Sequence, residues 1–307
     1  MLVVACGCGD VVPHHLPDGP PAPDAAADSA GNVDAPPPRC DPAKPFGAAT
    51  ALTELNTTSD DVTASLTANE LQIVFASARA GGVGLTDIYI ATRTSTSQPF
   101  GAPSLLAGVN TSGRDSRPIL TADGLFLYAE YLATPSSSWD IVRATRASTA
   151  ATFSAASAVA TIDSAQNDTA PFVMPDHSAI YFVSNRSGNN ELYVATGANG
   201  NFGAPSLVTG TNLSGASTED YPALTPDQKT MYFASDRAGG AGGSDIWVAT
   251  RQSVVTGFDS PVNLGALNTG GADSPAWVSP DGCVLYFNRN VGVAASNYDL
   301  YVATKPL

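Results

Sequence analysis

Along residues 46–307 the apolar positions fall in short runs, not in long stretches. Ile180-Tyr-Phe-Val183, Met231-Tyr-Phe-Ala234 and Asp245-Ile-Trp-Val-Ala249 are rich in aromatic and β-branched residues. Turn formers such as Pro175-Asp176, Pro226-Asp227 and Pro280-Asp281-Gly282 bound these runs, and Gly- or Ser-rich segments separate them. Runs of this length and composition between such punctuation predict β-strands. No sustained helical period is visible, so the pattern predicts an all-β chain dense in turns.

The runs recur in a fixed order. An aromatic marks the start of each unit, at Phe46, Phe100, Phe153, Phe202 and Phe258. A short run follows it (Phe202-Gly-Ala-Pro-Ser-Leu-Val208), then a run around a proline (Tyr221-Pro-Ala-Leu-Thr225), a turn, the strongest apolar run and a last run. The period is about 50 residues with four strands per unit, which predicts a five-bladed β-propeller of four-stranded antiparallel blades. The phase also predicts how the circle closes. The chain ends on Tyr301-Val-Ala-Thr304, the last run of the fifth unit, and the outer strand that should follow stands at the other end as Phe46-Gly-Ala-Ala-Thr-Ala-Leu52. The N-terminal strand is therefore expected to complete the C-terminal blade, which removes two free edges.

The units resemble the PD40 repeat, the WD40-like repeat of TolB-type periplasmic propellers. The resemblance rests on the Pro-Asp turns, on Ser-x-Arg (Ser77 to Arg79, Ser184 to Arg186, Ser235 to Arg237) and on Asp-Ile-Tyr or Asp-Ile-Trp at the start of the fourth run. It covers nearly all of 46–307 and implies a propeller without implying an activity. Unit one has Ala68-Asn69 in place of Pro-Asp, and units two and five lack Ser-x-Arg. Trp139-Asp140 precedes a strand and is not the WD signature.

Residues 1–45 differ in kind. From Leu16 to Pro38 the chain is almost wholly Pro, Ala, Asp, Gly and Ser, the composition of a disordered tether. Leu2-Val-Val-Ala-Cys6 before it resembles the end of a bacterial lipoprotein signal, with Cys6 as the lipidated residue. That resemblance implies an envelope protein held to a membrane by a lipid anchor only. Cys40 and Cys283 fall on the same closing blade in the predicted topology, so an exported chain is expected to join them in a disulfide.

Charge narrows the partners. The chain carries a net charge of −14, and residues 46–307 keep 22 of its 28 acids and 12 of its 14 bases. Such a surface disfavours nucleic acid. Two charged sets repeat. Ser-x-Arg with the later acid (Arg79 with Asp87, Arg186 with Glu191, Arg237 with Asp245) is expected to link neighbouring strands. A second acid precedes the inner-strand proline, at Asp115, Asp168, Asp220 and Asp273, with Asp61 in the matching place of unit one. Two fates are open for it: five carboxylates ring one channel mouth and suit calcium or a partner's cation, or each caps its own turn.

Catalysis has little to work with. His177 is the one histidine of 46–307, which argues against a His-based metal site or a Ser-His-Asp triad. A carboxylate pair remains, and Glu130 is the candidate because it replaces the repeated Ser in unit two. The expected function is a tethered, monomeric, non-catalytic binding propeller that presents its channel mouth and irregular loops to an envelope protein or glycan. Trp139 and Tyr298, with the segments 133–139 and 291–297, are the candidate contacts. The alternatives are a glycoside-active or glycan-binding propeller, and a spacer without ligand.

Overall fold

A computed structural model describes residues 38–292 and 297–307. They form a five-bladed β-propeller, each blade an antiparallel sheet whose first strand lies nearest the central channel. Blade 1 is Asp61–Leu66, Gln72–Ser77, Asp87–Thr92 and Ser104–Leu105; blade 2 is Arg114–Leu120, Phe126–Leu132, Asp140–Thr145 and Ser157–Ala158. Blade 3 is Asp168–Val173, Ala179–Ser184, Glu191–Ala198 and Ser206–Leu207; blade 4 is Glu219–Leu224, Thr230–Ser235, Asp245–Thr250 and Val262–Asn263. Blade 5 joins Asp273–Val278, Val284–Asn290 and Tyr298–Thr304 to the N-terminal strand Thr50–Ala51, in register Thr50 with Val302 and Ala51 with Tyr301.

The outer strands are two residues long, shorter than the sequence runs that foreshadow them. Pro103, Pro205 and Pro261 stand directly before three of them and cannot donate to a ladder, so pairing starts only after the proline. The aromatic that opens each unit is buried, and Phe202 also pairs with Gly197 in a short hairpin. Phe46 meets Tyr232 edge-on at 5.9 Å between ring centroids, and Phe202 meets Tyr128 at 6.1 Å. The second strands supply the densest apolar layer: Phe75, Phe182, Phe233 and Phe287 are fully buried.

The N-terminal segment is fixed ahead of its strand. Cys40 and Cys283 form a disulfide, Arg39 pairs with Asp281 and Glu70, and the Asp41 N–H donates to Pro306 O. Closing a loop of 243 residues removes chain entropy from the unfolded state. Replacing both cysteines by serine is therefore expected to lower unfolding stability by about 3–5 kcal/mol in urea titrations.

A second repeated device links blades at four of the five junctions. Asn56, Asn110 and Asn268 each accept the N–H of a third-strand residue of the preceding blade (Leu300, Ile88 and Ile246) and donate back to that residue's carbonyl, at 2.7–3.0 Å. Between blades 2 and 3 the place is held by Asp163. It accepts from Ile141 N–H at 3.0 Å, but its other oxygen is buried without a partner. Only a protonated carboxyl can return a bond to Ile141 O. Burial pushes Asp163 up to about 6; the charges of Asp140 and Asp168 add to this, while the Ile141 N–H and Arg186 oppose it. Its folded value lies above its unfolded one, so its contribution is full below about pH 4 and is lost as pH rises through about 6. Asp163→Asn should raise unfolding stability by about 1–3 kcal/mol at pH 8 and change it little at pH 4.

Candidate functional site

The repeated acids and arginines form one unit. In blade 1, Arg79 donates to Ser77 Oγ (2.8 Å), Leu55 O (2.7 Å) and Asp61 Oδ1 (2.6 Å), with its guanidinium 5.0 Å from the Phe75 ring centroid and 4.8 Å from that of Tyr89. Blade 3 repeats this with Arg186, Asp168, Phe182 and Tyr193. Blade 4 repeats it with Arg237, Glu219, Phe233 and Trp247. Blade 5 reaches the same end from a different position, Arg289 pairing with Asp273 between Phe287 and Tyr301. The second oxygen of Asp61, Asp168 and Asp273 accepts the backbone N–H and hydroxyl of Thr57, Ser164 and Thr269. A desolvated arginine fits here because two aromatic faces and a charge-assisted pair replace its water.

Two sequence expectations are corrected by this geometry. The arginines do not pair with Asp87, Glu191 or Asp245. Asp87 and Asp245 instead cap their own loops through Val83 N–H and Ala241 N–H, and Glu191 accepts from Gly215 N–H. The close approach needs glycine: a Cβ on Gly82 or Gly240 would fall 1.9 or 1.7 Å from the carboxylate. Nor do Asp61, Asp115, Asp168, Asp220 and Asp273 ring the channel. Asp61, Asp115, Asp168 and Asp273 are buried inside their blades, their bonds spent within the fold. In blade 4 the equivalent residue is Glu219, opposite Ser235, as Asp61 is opposite Ser77 and Asp168 opposite Ser184. Among the described residues no group of three or more His, Cys, Asp or Glu could hold a metal.

Blade 2 departs from the unit. Phe75 and Tyr89 correspond to Ala129 and Val142, and no arginine reaches Asp115. Asp115 keeps the two Thr111 bonds, and burial pushes its carboxyl up. The arginine of this blade lies elsewhere. Every first strand carries a bulge, and in blades 1–4 its residue is left-handed: Thr63, Arg117, Ala170 and Tyr221. From its bulge Arg117 crosses the channel to blade 4. It meets Asp220 at 3.0 Å, approaches Glu130 at 3.4 Å and lies 3.9 Å over the centroid of the Tyr221 ring.

Glu130 does not stand at the repeated serine. It pairs with Ser116, the place held by Ala76, Val183, Ala234 and Asn288 in the other blades. Its Oε2 accepts the N–H of the Ala170 bulge (3.2 Å), as Asn288 accepts that of Thr63 (2.9 Å). Glu130 therefore pins the bulge of the next blade. Burial pushes its carboxyl up, against the opposing Arg117 charge.

At the level of Arg117 and the inner-strand prolines the channel narrows to a cavity of about 20 Å³, room for one water. On the side of the Pro-Asp turns it opens into an apolar funnel of about 290 Å³ to which all five blades contribute, including Leu66, Ile119, Phe172, Leu224 and Trp277. Asp123, Asp176, Asp227 and Asp281 stand beside this mouth in turns that hold their carboxyls below the usual range. Trp139 lies half-buried at the joint of blades 2 and 3, its N–H donating to Asn167 and its carbonyl accepting from Asp168 N–H. Tyr298 donates its N–H to Asp60, and burial with the Asp60 charge pushes its phenol up. Cys6, the tether to residue 37, and residues 293–296 of the fifth-blade loop lie outside the described residues.

No family model matches this chain, and no curated protein sequence matches it. Solved structures do. TolB from Acinetobacter baumannii is similar at TM-score 0.52 and 14% identity over 82% of this chain, which spans 56% of the TolB chain. A thermostable family-43 glycoside hydrolase is similar at TM-score 0.57 and 13% identity, covering 82% of this chain and 91% of its own. The catalytic domain of a GH62 α-L-arabinofuranosidase from Coprinopsis cinerea is similar at TM-score 0.53 and 12% identity, covering 86% and 98%. At these identities the likeness establishes the fold alone, shared by TolB and by glycoside hydrolases.

Arg117→Met should expose how much the channel depends on this cation. It leaves Glu130 and Asp220 without their counter-charge. A loss of about 3–5 kcal/mol in unfolding stability at pH 7 is expected, shrinking as pH falls and Glu130 takes up a proton.

Proposed function

We propose that this chain is a non-catalytic binding propeller of the bacterial envelope, held by a lipid on Cys6 and a Pro/Ala/Asp-rich tether. The observation that carries the reading is the fate of its charges. The repeated acids are consumed by internal ion pairs and hydrogen bonds, and Arg117 occupies both carboxylates that face the channel. What remains open is an apolar funnel fed by all five blades, the kind of pocket in which a partner's anchor residue is desolvated. The fold shared with TolB is consistent with an envelope role. Trp139 and Tyr298 border the opposite face and serve as secondary contacts.

One observation favours a second reading. Glu130 and Asp220 lie on either side of one guanidinium inside the channel, and the fold is shared with glycoside hydrolases. A carboxylate pair of this kind would serve glycoside chemistry if Arg117 withdrew.

The test pairs two assays. Capture of envelope proteins by the wild type, lost in Ala122→Trp where the new ring blocks the funnel, supports the binding reading. Turnover of a chromogenic glycoside panel by the wild type, abolished by Glu130→Gln, overturns it. Neither capture nor turnover leaves the spacer as the better account.

A further inference from the structure

A cavity of about 540 Å³ lies in the groove between blades 4 and 5 on the face of the Pro-Asp turns. The repeat itself defines what is missing there. At the end of the third strand, Arg93, Arg146 and Arg251 each lie over the unit-opening phenylalanine, 4.3–4.4 Å from its centroid, and donate to a turn carbonyl of their own blade. Two of them also reach back to a second-strand tyrosine of the preceding blade. Arg251 donates to Tyr181 Oη at 2.9 Å and Arg93 to Tyr286 Oη at 3.3 Å. The equivalent Tyr128 is covered by the 197–202 hairpin, where a Cβ on Gly200 would come 2.7 Å from its oxygen.

In the 4–5 groove the arginine is replaced by Lys305. Its Nζ lies over Phe46 (4.9 Å) but stops short, donating to Pro42 O at 2.7 Å. Tyr232, the counterpart of Tyr181 and Tyr286, is 3% exposed, lines the cavity and makes no hydrogen bond through its hydroxyl. Burial alone pushes its phenol up to about 12. No carboxylate of the described residues pairs with Lys305, and burial pulls its ammonium down. The other charges of the groove are engaged. Asp281 is held by Arg39, Asp227 accepts from Thr225 Oγ1 and Lys229 N–H, and Lys44 donates to Leu307 O. The unfilled groups are thus two donors, an ammonium and a phenol, both beside the Phe46 ring and lining one cavity with walls of Pro42, Pro45, Pro226 and Pro280.

We infer that this groove is a binding site for a small carboxylate with an apolar ring, the carboxylate meeting Lys305 Nζ and Tyr232 Oη and the ring lying among the prolines. The volume is that of an ordinary ligand site, and the chemistry matches one: mostly apolar walls with a few convergent polar groups. The site is separate from the channel and does not depend on the binding reading proposed above.

Benzoate is the probe, with neutral benzamide and cationic benzamidinium as comparators, read by ligand-observed NMR and by calorimetry. For a ligand this small an affinity near about 1 mM is expected. Tyr232→Phe should weaken benzoate at least about tenfold, the loss of one charge-assisted hydrogen bond. Lys305→Arg is the sharper variant, because it keeps the charge. Its guanidinium should reach Tyr232 Oη as Arg251 reaches Tyr181, fill the slot and abolish binding, with a melting temperature no lower than that of the wild type. Benzamidinium or benzamide binding at least as tightly as benzoate would overturn the inference. So would benzoate affinity unchanged in both folded variants, or no benzoate binding up to roughly 50 mM, far above the expected Kd.

Discussion

The structure depends on an arginine laid over two neighbouring aromatic rings and tied to an acid on the innermost strand. Four blades carry it. The guanidinium bridges the first and second strands, while its stacking on a ring from the third joins three strands in one contact. Burying an arginine in this way is tolerable because its charge is paired with an acid and two aromatic rings take the place of water. The same contact removes the acids from the channel, so the repeat's most conspicuous charges serve architecture. In blade 4 the longer Glu219 takes the place of aspartate, and burial beside Glu191 pushes its carboxyl up.

Once those charges are internal, the channel's character follows from the residues that break the repeat. Arg117 exists in blade 2 alone and spans the pore to Asp220. Glu130 and Asn288, polar at a position that is apolar in blades 1, 3 and 4, hold the bulges of blades 3 and 1. Lys305 and Asp163 depart from repeated arginine and asparagine, and each leaves a polar atom of the fold unfilled. The four-stranded unit thus sets a frame, and function is to be sought where one blade fails to copy its neighbours.

Much of the frame was legible in the sequence. The short aromatic and β-branched runs, their turn residues and the missing outer strand gave the strand order of all five blades and the docking of Thr50–Ala51 beside Tyr301–Val302. The side-chain pairings were less legible, because periodicity reports spacing along the chain and not reach across it. Arg79 pairs backward with Asp61, not forward with Asp87, since the first strand lies beside the second and its acid points at the guanidinium. Counting a fixed three residues back from the proline selects Glu219, where a looser spacing selects Asp220. The cross-channel role of Arg117 had a weaker signal, a lone pre-proline arginine in one unit. Nothing local in the sequence marks the groove at Tyr232, which only the juxtaposition of two blades creates.

A double-mutant cycle on Asp168 and Arg186, with Asp168→Asn and Arg186→Met measured singly and together by urea unfolding, tests the account at its centre. A coupling energy of about 1–3 kcal/mol is predicted, because each single change strands the other's buried charge. Additive losses, with no coupling between the two sites, would contradict it.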